Sequence, residues 1–327
     1  MKYPNHITNK SKIGVTAMSA GTGKYIDKYK KSISNIEKNG FEIIETANVR
    51  INKNPSSSGE ERANELDKLI TDNDVELIFN ATGGDFLIEI LPYVNYQHIM
   101  EKPKYIVGSS DATNILYITT TALDIATIYG FNAASFSHDE LHESQLNCLD
   151  ILRGNIKVQN SYSLYQDNNV KDGEKYQLTE KVYWETPNGD VDIKGRIIGG
   201  CIDSLRDIIG TRYDYTNQFI DKYKDDGIIW YFDIFGLSSE DLYRCLLQMR
   251  EADWFSNIKG VIFGRVKYPR TDTGMEYIEA ITKVFSDMPV IFNADIGHVE
   301  PKMTIINGSI AKVKSSNGKG TIELELK

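Results

Sequence analysis

"KYIVGSSDATNILY", residues 104–117, decides the fold. An apolar run fit for a buried strand stops at Gly108-Ser109-Ser110-Asp111 and turns directly into an apolar-periodic segment, read as a helix over 111–129. A strand entering a helix through a short Gly-containing turn is one half of a βαβ unit, and the flanking text repeats it. Upstream, "KIGVTAMSA" reads as a strand and "KYIDKYKKSISNIEKNG" as a helix ending at Gly40. "FEIIETANV" is the next strand, and "SGEERANELDKLITDN" a charged amphipathic helix with Ser58 as N-cap. Then come the strand "VELIFNAT", the pair Gly83-Gly84 and a helix over "DFLIEILPYV". This alternation predicts an α/β fold, a doubly wound parallel sheet whose ligands sit beyond the carboxyl ends of its strands.

Between about 155 and 195 the text turns polar and rich in Tyr and Asn. The Asn-Gly turn signal in "TPNGD" and period-two alternation around it predict hairpins there. "GRIIGGCIDSLRDIIGT", "GIIWYFDIFG", "KGVIFGRV" and "MPVIFNADIGH" then carry strands of a smaller mixed β/α domain, with helices over "SSEDLYRCLLQMREADWF" and 273–286. The expected division is residues 1–160, a linker and hairpin region over 161–195, and 196–327. A chain of 327 residues, 41% of them apolar, is long enough for two cores.

A net charge of −9 argues against a nucleic-acid partner, because such binding is driven by Lys and Arg neutralising phosphates. No run approaches the ~18 apolar residues needed to cross a bilayer, and "MKYPNHITNKSK" lacks the apolar stretch of a secretory signal; a cytoplasmic location without membrane contact is expected. Cys148, Cys201 and Cys245 show no C-x-x-C spacing and read as buried thiols.

Two apparent motifs fail on inspection. "AGTGK", residues 20–24, lacks the first glycine of a P-loop and has Tyr25 where a hydroxyl should bind magnesium. "HDELH", His138–His142, has the i, i+4 histidines of a zincin, but Asp139 stands where the catalytic glutamate belongs, so exposed surface histidines are the default.

The 108–111 turn is different. A serine at a strand tip entering a helix exposes its hydroxyl beside helix N-terminal amides, the arrangement of a nucleophile and oxyanion site. G-x-S-x-G is not met, since Ala112 takes the second glycine's place, and Ser110 or Asp111 as a plain helix cap remains open. A base and an orienting acid are available elsewhere. His298 follows a buried strand in "NADIGHVEP", and Asp233 sits in the apolar run "GIIWYFDIFG", where a carboxylate needs a partner. His298 as a loop histidine and Asp233 paired with Arg265 are the bland alternatives.

GSSD (108–111), "NATGGDF" (80–86), "WYFD" (230–233) and "DIGHVEP" (295–301), in that order, resemble the LD-carboxypeptidase family, which includes the microcin C immunity peptidases. "ERANEL", "LPYVNY", "RIIGGCIDSL" and "KGVIFGRV" extend the resemblance over nearly the whole chain. It implies a glutamine-amidotransferase-like (flavodoxin-like) N-terminal domain, a smaller C-terminal domain, a site between them, and a homodimer. It implies Ser110 as nucleophile, His298 as general base and then acid, and Asp233 as the orienting carboxylate. The oxyanion hole would be the N–H of Asp111 with that of Gly84 or, second, Gly83. No cofactor or metal is implied. The substrate would be a small murein-derived peptide ending in a D-amino acid, or a peptidyl-nucleotide of the microcin C type, with a binding-only homologue as a third case. Arg196, Arg212, Arg265 and Lys302 are candidates for a substrate carboxylate, and Tyr183, Trp184 and Trp230 for stacking on a base. The family usually has Glu at position 233 and an aromatic residue at 109. The shorter acid withdraws the carboxylate by about 1.5 Å, so Asp233→Glu is expected to hold or raise kcat.

Overall fold

The computed structural model describes residues 1–167 and 175–327. The chain divides into two compact units: Met1–Ile156 with Thr304–Asn307 and a short stretch ending at Tyr176, and Gln177–Met303 with Gly308–Lys327 and the stretch beginning at Lys157. Residues 168–174 of the expected hairpin region lie outside the described residues.

In the first unit the described strands run Glu42–Glu45, Lys12–Thr16, Val75–Asn80, Tyr105–Gly108, Thr127–Tyr129, all parallel, with Ile305–Asn307 added antiparallel at the edge. In sequence order the parallel strands read 2-1-3-4-5, the flavodoxin-like arrangement, whose switch point falls between Lys12–Thr16 and Val75–Asn80. Leu77, Ile78, Phe79, Ile106 and Val107 are all buried, as a sheet covered on both faces requires.

Helices form where the caps and periodicity allow. Ser58 caps Gly59–Thr71 and exchanges hydrogen bonds with Glu61 in a capping box. The helix expected over 111–129 is shorter: a 3₁₀ turn at Ser110–Ala112, an α-helix at Thr113–Leu123, then the strand Thr127–Tyr129. Asp124, left-handed at φ 60°, ends the helix, and its apolar continuation is a strand that the 3.6-residue pattern absorbed. The helix expected over 85–94 is a 3₁₀ stretch, Leu87–Tyr93, with Pro92 inside it; the missing donor prevents an α-helical ladder.

The second unit has a sheet of seven described strands. Val290–Ala294, Ile258–Gly264, Ile228–Asp233 and Val191–Cys201 are parallel, followed by antiparallel Ile310–Ser316, Lys319–Glu325 and Gln159–Asn160. Gly189, at φ +99°, completes the Asn-Gly turn just before Val191–Cys201. Trp230 stacks on Trp254, 5.6 Å between centroids, and Trp184 is wholly buried. The parallel strands of both units end in loops that carry the polar residues described next.

Candidate active site

In the first unit, Ser110 follows the strand Tyr105–Gly108 at φ +62°, a left-handed conformation uncommon for serine. Such strain at a strand-to-helix turn is a feature shared with nucleophile elbows. Surrounding groups hold it there. The Ser110 N–H donates to the Tyr129 hydroxyl (3.2 Å), and Thr113 Oγ1 donates to the Ser110 carbonyl (2.6 Å). A Cβ on Gly108 would stand 2.7 Å from the Ala112 Cβ, so glycine there lets the helix turn back over the strand.

The Asp111 side chain faces inward and accepts from Ser19 Oγ (2.5 Å) and the Leu87 N–H (2.8 Å), tying the Ser110 turn to the segment that follows Gly83-Gly84. Burial pushes this carboxyl above its usual range, opposed by those same donors. The Gly83 face that lacks a side chain meets Ser110, whose Cβ and Oγ would both lie 3.2 Å from an added Cβ. Gly84 instead faces Ser19 and Ala20. The Gly83 carbonyl accepts from the Ala20 N–H (3.3 Å), which turns the Gly84 N–H to the opposite edge of the planar peptide.

Ser109, where the family usually has an aromatic residue, is buried. Its N–H donates to Asn132 Oδ1 (3.1 Å) and its hydroxyl accepts from Asn132 Nδ2 (3.0 Å). Asn80 Nδ2 joins the same Oδ1 and the Thr82 carbonyl, linking three strand ends. Arg62, completely buried, donates to the Met18, Ser57 and Phe86 carbonyls and to Glu89, clamping the neighbouring loops.

In the second unit, Asp233 closes the strand Ile228–Asp233 and is fully buried. His298 Nδ1 lies 2.9 Å from one carboxylate oxygen and 2.7 Å from the other, and the His298 backbone N–H donates to Asp233 at 3.2 Å. A carboxylate accepts only, so Nδ1 is the donor in this pair, and in the neutral ring the lone pair then lies on Nε2. The shorter acid therefore reaches the imidazole, because Gly297, at φ +102°, has no side chain: an added Cβ would stand 2.1 Å from Asp233 Oδ1. Phe235 packs against the ring, 4.6 Å between centroids.

The alternatives resolve in the same unit. Arg265 pairs with Asp295 (2.7 Å), not with Asp233, and also donates to the Pro301 carbonyl. Arg196 pairs with Asp226 (2.6 Å), and Lys302 with Glu300 (3.0 Å). Arg212 is exposed beside Tyr213. Trp184 and Trp230 are core residues, bonded through their indole N–H to Asp295 and the Trp254 carbonyl; Tyr183 is 61% exposed.

The "HDELH" histidines do not share a helical face. His138 is buried, not exposed, and contacts Gln145, whereas His142 is the N-cap of Glu143–Leu152. Both rings pack on Tyr176, a partner far away in the sequence.

Tyr129, Ser19 and Asn132 carry no motif of their own and leave no signal in the sequence, whereas Gly297 lies inside "DIGHVEP".

Residues 13–130 match the LD-carboxypeptidase N-terminal domain and residues 194–313 its C-terminal domain. The chain belongs to the LD-carboxypeptidase family. Among relatives of this LD-carboxypeptidase family chain, a putative carboxypeptidase of Vibrio cholerae is 25% identical over 323 residues, 93% of this chain and 92% of that protein. The microcin C7 self-immunity protein of Escherichia coli is 22% identical over 292 residues, covering 85% and 83%. A solved structure of a microcin C7 self-immunity protein with aspartyl sulfamoyl adenosine superposes with a TM-score of 0.84 at 21% identity over 99% of both chains. Muramoyltetrapeptide carboxypeptidase from Oxalobacter formigenes gives 0.77 at 18% identity, over 96% of this chain and 98% of that one. At these identities the superpositions establish the fold.

Proposed function

We propose that this chain is a serine-type LD-carboxypeptidase that hydrolyses the amide bond between an L-configured centre and a terminal D-amino acid in murein-derived peptides. Ser110 attacks the carbonyl, His298 Nε2 takes its proton, and Asp233 holds the ring and stabilises the imidazolium that forms. The N–H groups of Asp111 and of Gly84 or Gly83 receive the oxyanion. His298 then protonates the departing D-amino acid, and water releases the acyl group by the reverse sequence. The observation that carries this reading is the Asp233–His298 pair, 2.7–2.9 Å, which leaves Nε2 free to act as a base. The left-handed Ser110 beside Gly83 supports the nucleophile assignment.

The test is release of free D-Ala, read by mass spectrometry, from tetrapeptides ending in L-Lys–D-Ala or meso-diaminopimelate–D-Ala. Release is expected from the native protein and none from Ser110→Ala or His298→Ala. Undiminished release by Ser110→Ala refutes the mechanism.

A peptidyl-nucleotide substrate is the second reading, favoured by the likeness to the microcin C7 self-immunity fold. It would place the base on Tyr183, the exposed member of the three aromatic candidates. Turnover of an aminoacyl sulfamoyl adenosine without D-Ala release selects it. The made Asp233–His298 bond favours either hydrolase over a binding-only homologue. We expect a cytoplasmic homodimer, to be checked by light scattering and fractionation.

A further inference from the structure

Cys201 ends the strand Val191–Cys201 directly opposite Asp233 in the parallel register. Its Sγ, an Asp233 carboxylate oxygen and an imidazole nitrogen of His298 all lie within 4.8 Å of one another. These are three different donor types, thiol, carboxylate and imidazole, and each is a ligand that zinc accepts. Around a tetrahedral Zn²⁺ neighbouring ligand atoms stand about 3.5 Å apart, so with Asp233 fixed the Cys201 and His298 side chains have only roughly 1 Å to close. The His298 side chain is partly open to solvent, so a cation has an entry side and the ring can turn toward it while the backbone of its loop stays in place.

We propose that Cys201, Asp233 and His298 form a binding site for a borderline-soft divalent cation, Zn²⁺, with water as the fourth ligand on the open side of the imidazole. On binding, the Cys201 S–H gives its proton to solvent as the S–Zn bond forms. The imidazole stays neutral, its hydrogen residing on whichever nitrogen does not coordinate, so one proton is released per cation. Asp203 does not complete the set: its two oxygens accept the N–H groups of Phe235 (2.9 Å) and Gly236 (2.8 Å). Burial, then the Asp233 charge, holds the Cys201 thiol well above its ordinary range, so the sulfur is a poor nucleophile until a cation displaces its proton.

A cation seated here occupies the carboxylate and ring that the peptidase reading assigns to proton transfer, and would inhibit it reversibly. That consequence rests on the proposed function, whereas the binding does not.

Titration of the purified full chain with Co²⁺ tests the binding without any substrate. The expected result is one thiolate-to-cobalt charge-transfer band in the near ultraviolet, saturating at one equivalent and removed by competing Zn²⁺. Cys148→Ser and Cys245→Ser should retain it, and Cys201→Ser should lose it. Absence of the band in the native protein, or its persistence in Cys201→Ser, overturns the proposal. Should Cys201→Ser fail to fold by circular dichroism, His298→Ala serves instead: cobalt affinity should fall at least ~10-fold, and equal affinity overturns the site.

Discussion

Gly297→Ala is the sharpest perturbation this structure allows. The new Cβ would stand 2.1 Å from Asp233 Oδ1, 2.4 Å from its Cγ and 2.9 Å from its Cβ. Carbon and oxygen approach no closer than about 3.3 Å even in weak C–H···O contacts, so Oδ1 must retreat by roughly 1 Å. Asp233 has little room to do so, being fully buried and held in register with Cys201. The retreat therefore falls on the 2.7–2.9 Å contacts with His298. Misplacing a reacting group on that scale costs about 10²-fold in rate, and complete loss of the orienting acid about 10⁴-fold; kcat should fall between these limits. Backbone strain contributes separately, because alanine at φ +102° costs about 1–3 kcal/mol of stability. Gly189 separates the two effects: at φ +99° it carries the same strain, yet an added Cβ meets nothing within 4 Å. Gly189→Ala should lose stability but keep its activity. The assays are D-amino-acid release and the rate at which a fluorophosphonate labels Ser110, each beside a thermal melt. A Gly297→Ala protein no slower than Gly189→Ala would refute the steric argument.

Asp233→Glu should lower kcat by about 10²-fold, contrary to expectation from the family's usual glutamate, because Asp233 already meets the His298 ring and backbone N–H and an extra methylene drives the carboxylate into them, an overpacking that costs about 1–3 kcal/mol; kcat held or raised on the same assay would show that the loop yields. Ser110→Gly and Ser110→Ala should both be inactive, but the glycine variant should melt higher, by about 0.5–1 kcal/mol of stability, since it removes the left-handed strain that alanine keeps; equal melts would deny the strain. Glu240 Oε1 accepts from the Thr271 hydroxyl, the N–H groups of Asp272 and Thr273, and the Thr273 hydroxyl. The Thr273 hydroxyl is the main reason its carboxyl titrates below the usual range. A lowered folded-state pKa means the clip is intact above the ordinary glutamate range and opens only as pH falls through the lowered value. Glu240→Ala should thus speed hydrogen exchange at Asp272 and Thr273 at neutral pH, and unchanged exchange would dismiss the clip.

What was legible in the sequence was local. An apolar run closing in glycine is a strand meeting a turn in any context, so the tips at Gly108 and Asp233 could be read, and the order of the motifs supplied the family. What was not legible depended on distant partners. Serine has no intrinsic preference for φ +62°; the Tyr129 hydroxyl, 19 residues on, and the absent Gly83 side chain permit it. His138 read as exposed because its partner Tyr176 lies far along the chain. The helix expected to reach 129 ran too far because an apolar strand after a left-handed Asp124 continues the same hydrophobic text. The reach of Asp233 depended on a neighbouring residue lacking a Cβ, which no spacing rule reports.

Asp111 and Asp295, close in sequence to Ser110 and His298, act as anchors, and their chemistry explains why a carboxyl is buried beside each of these two groups. Asp295, three residues before His298, accepts from Arg265 (2.7 Å), the Trp184 indole (2.9 Å) and the Tyr162 N–H (3.1 Å), while its own carbonyl accepts from Met303 (2.7 Å). Burial still pushes its carboxyl up against the pull of Arg265, so desolvation outweighs the attraction. A buried ion pair of this kind adds little net stability, yet removing one partner costs about 3–5 kcal/mol. Its effect is to fix position: the loop bearing His298 cannot shift without breaking several bonds at one carboxylate. Asp111 does the same in the first unit, gripping Ser19 and Leu87 from the residue next to Ser110. Ser110 and His298 are thereby each held by an acid close to them in sequence, an arrangement that fixes geometry before any substrate binds.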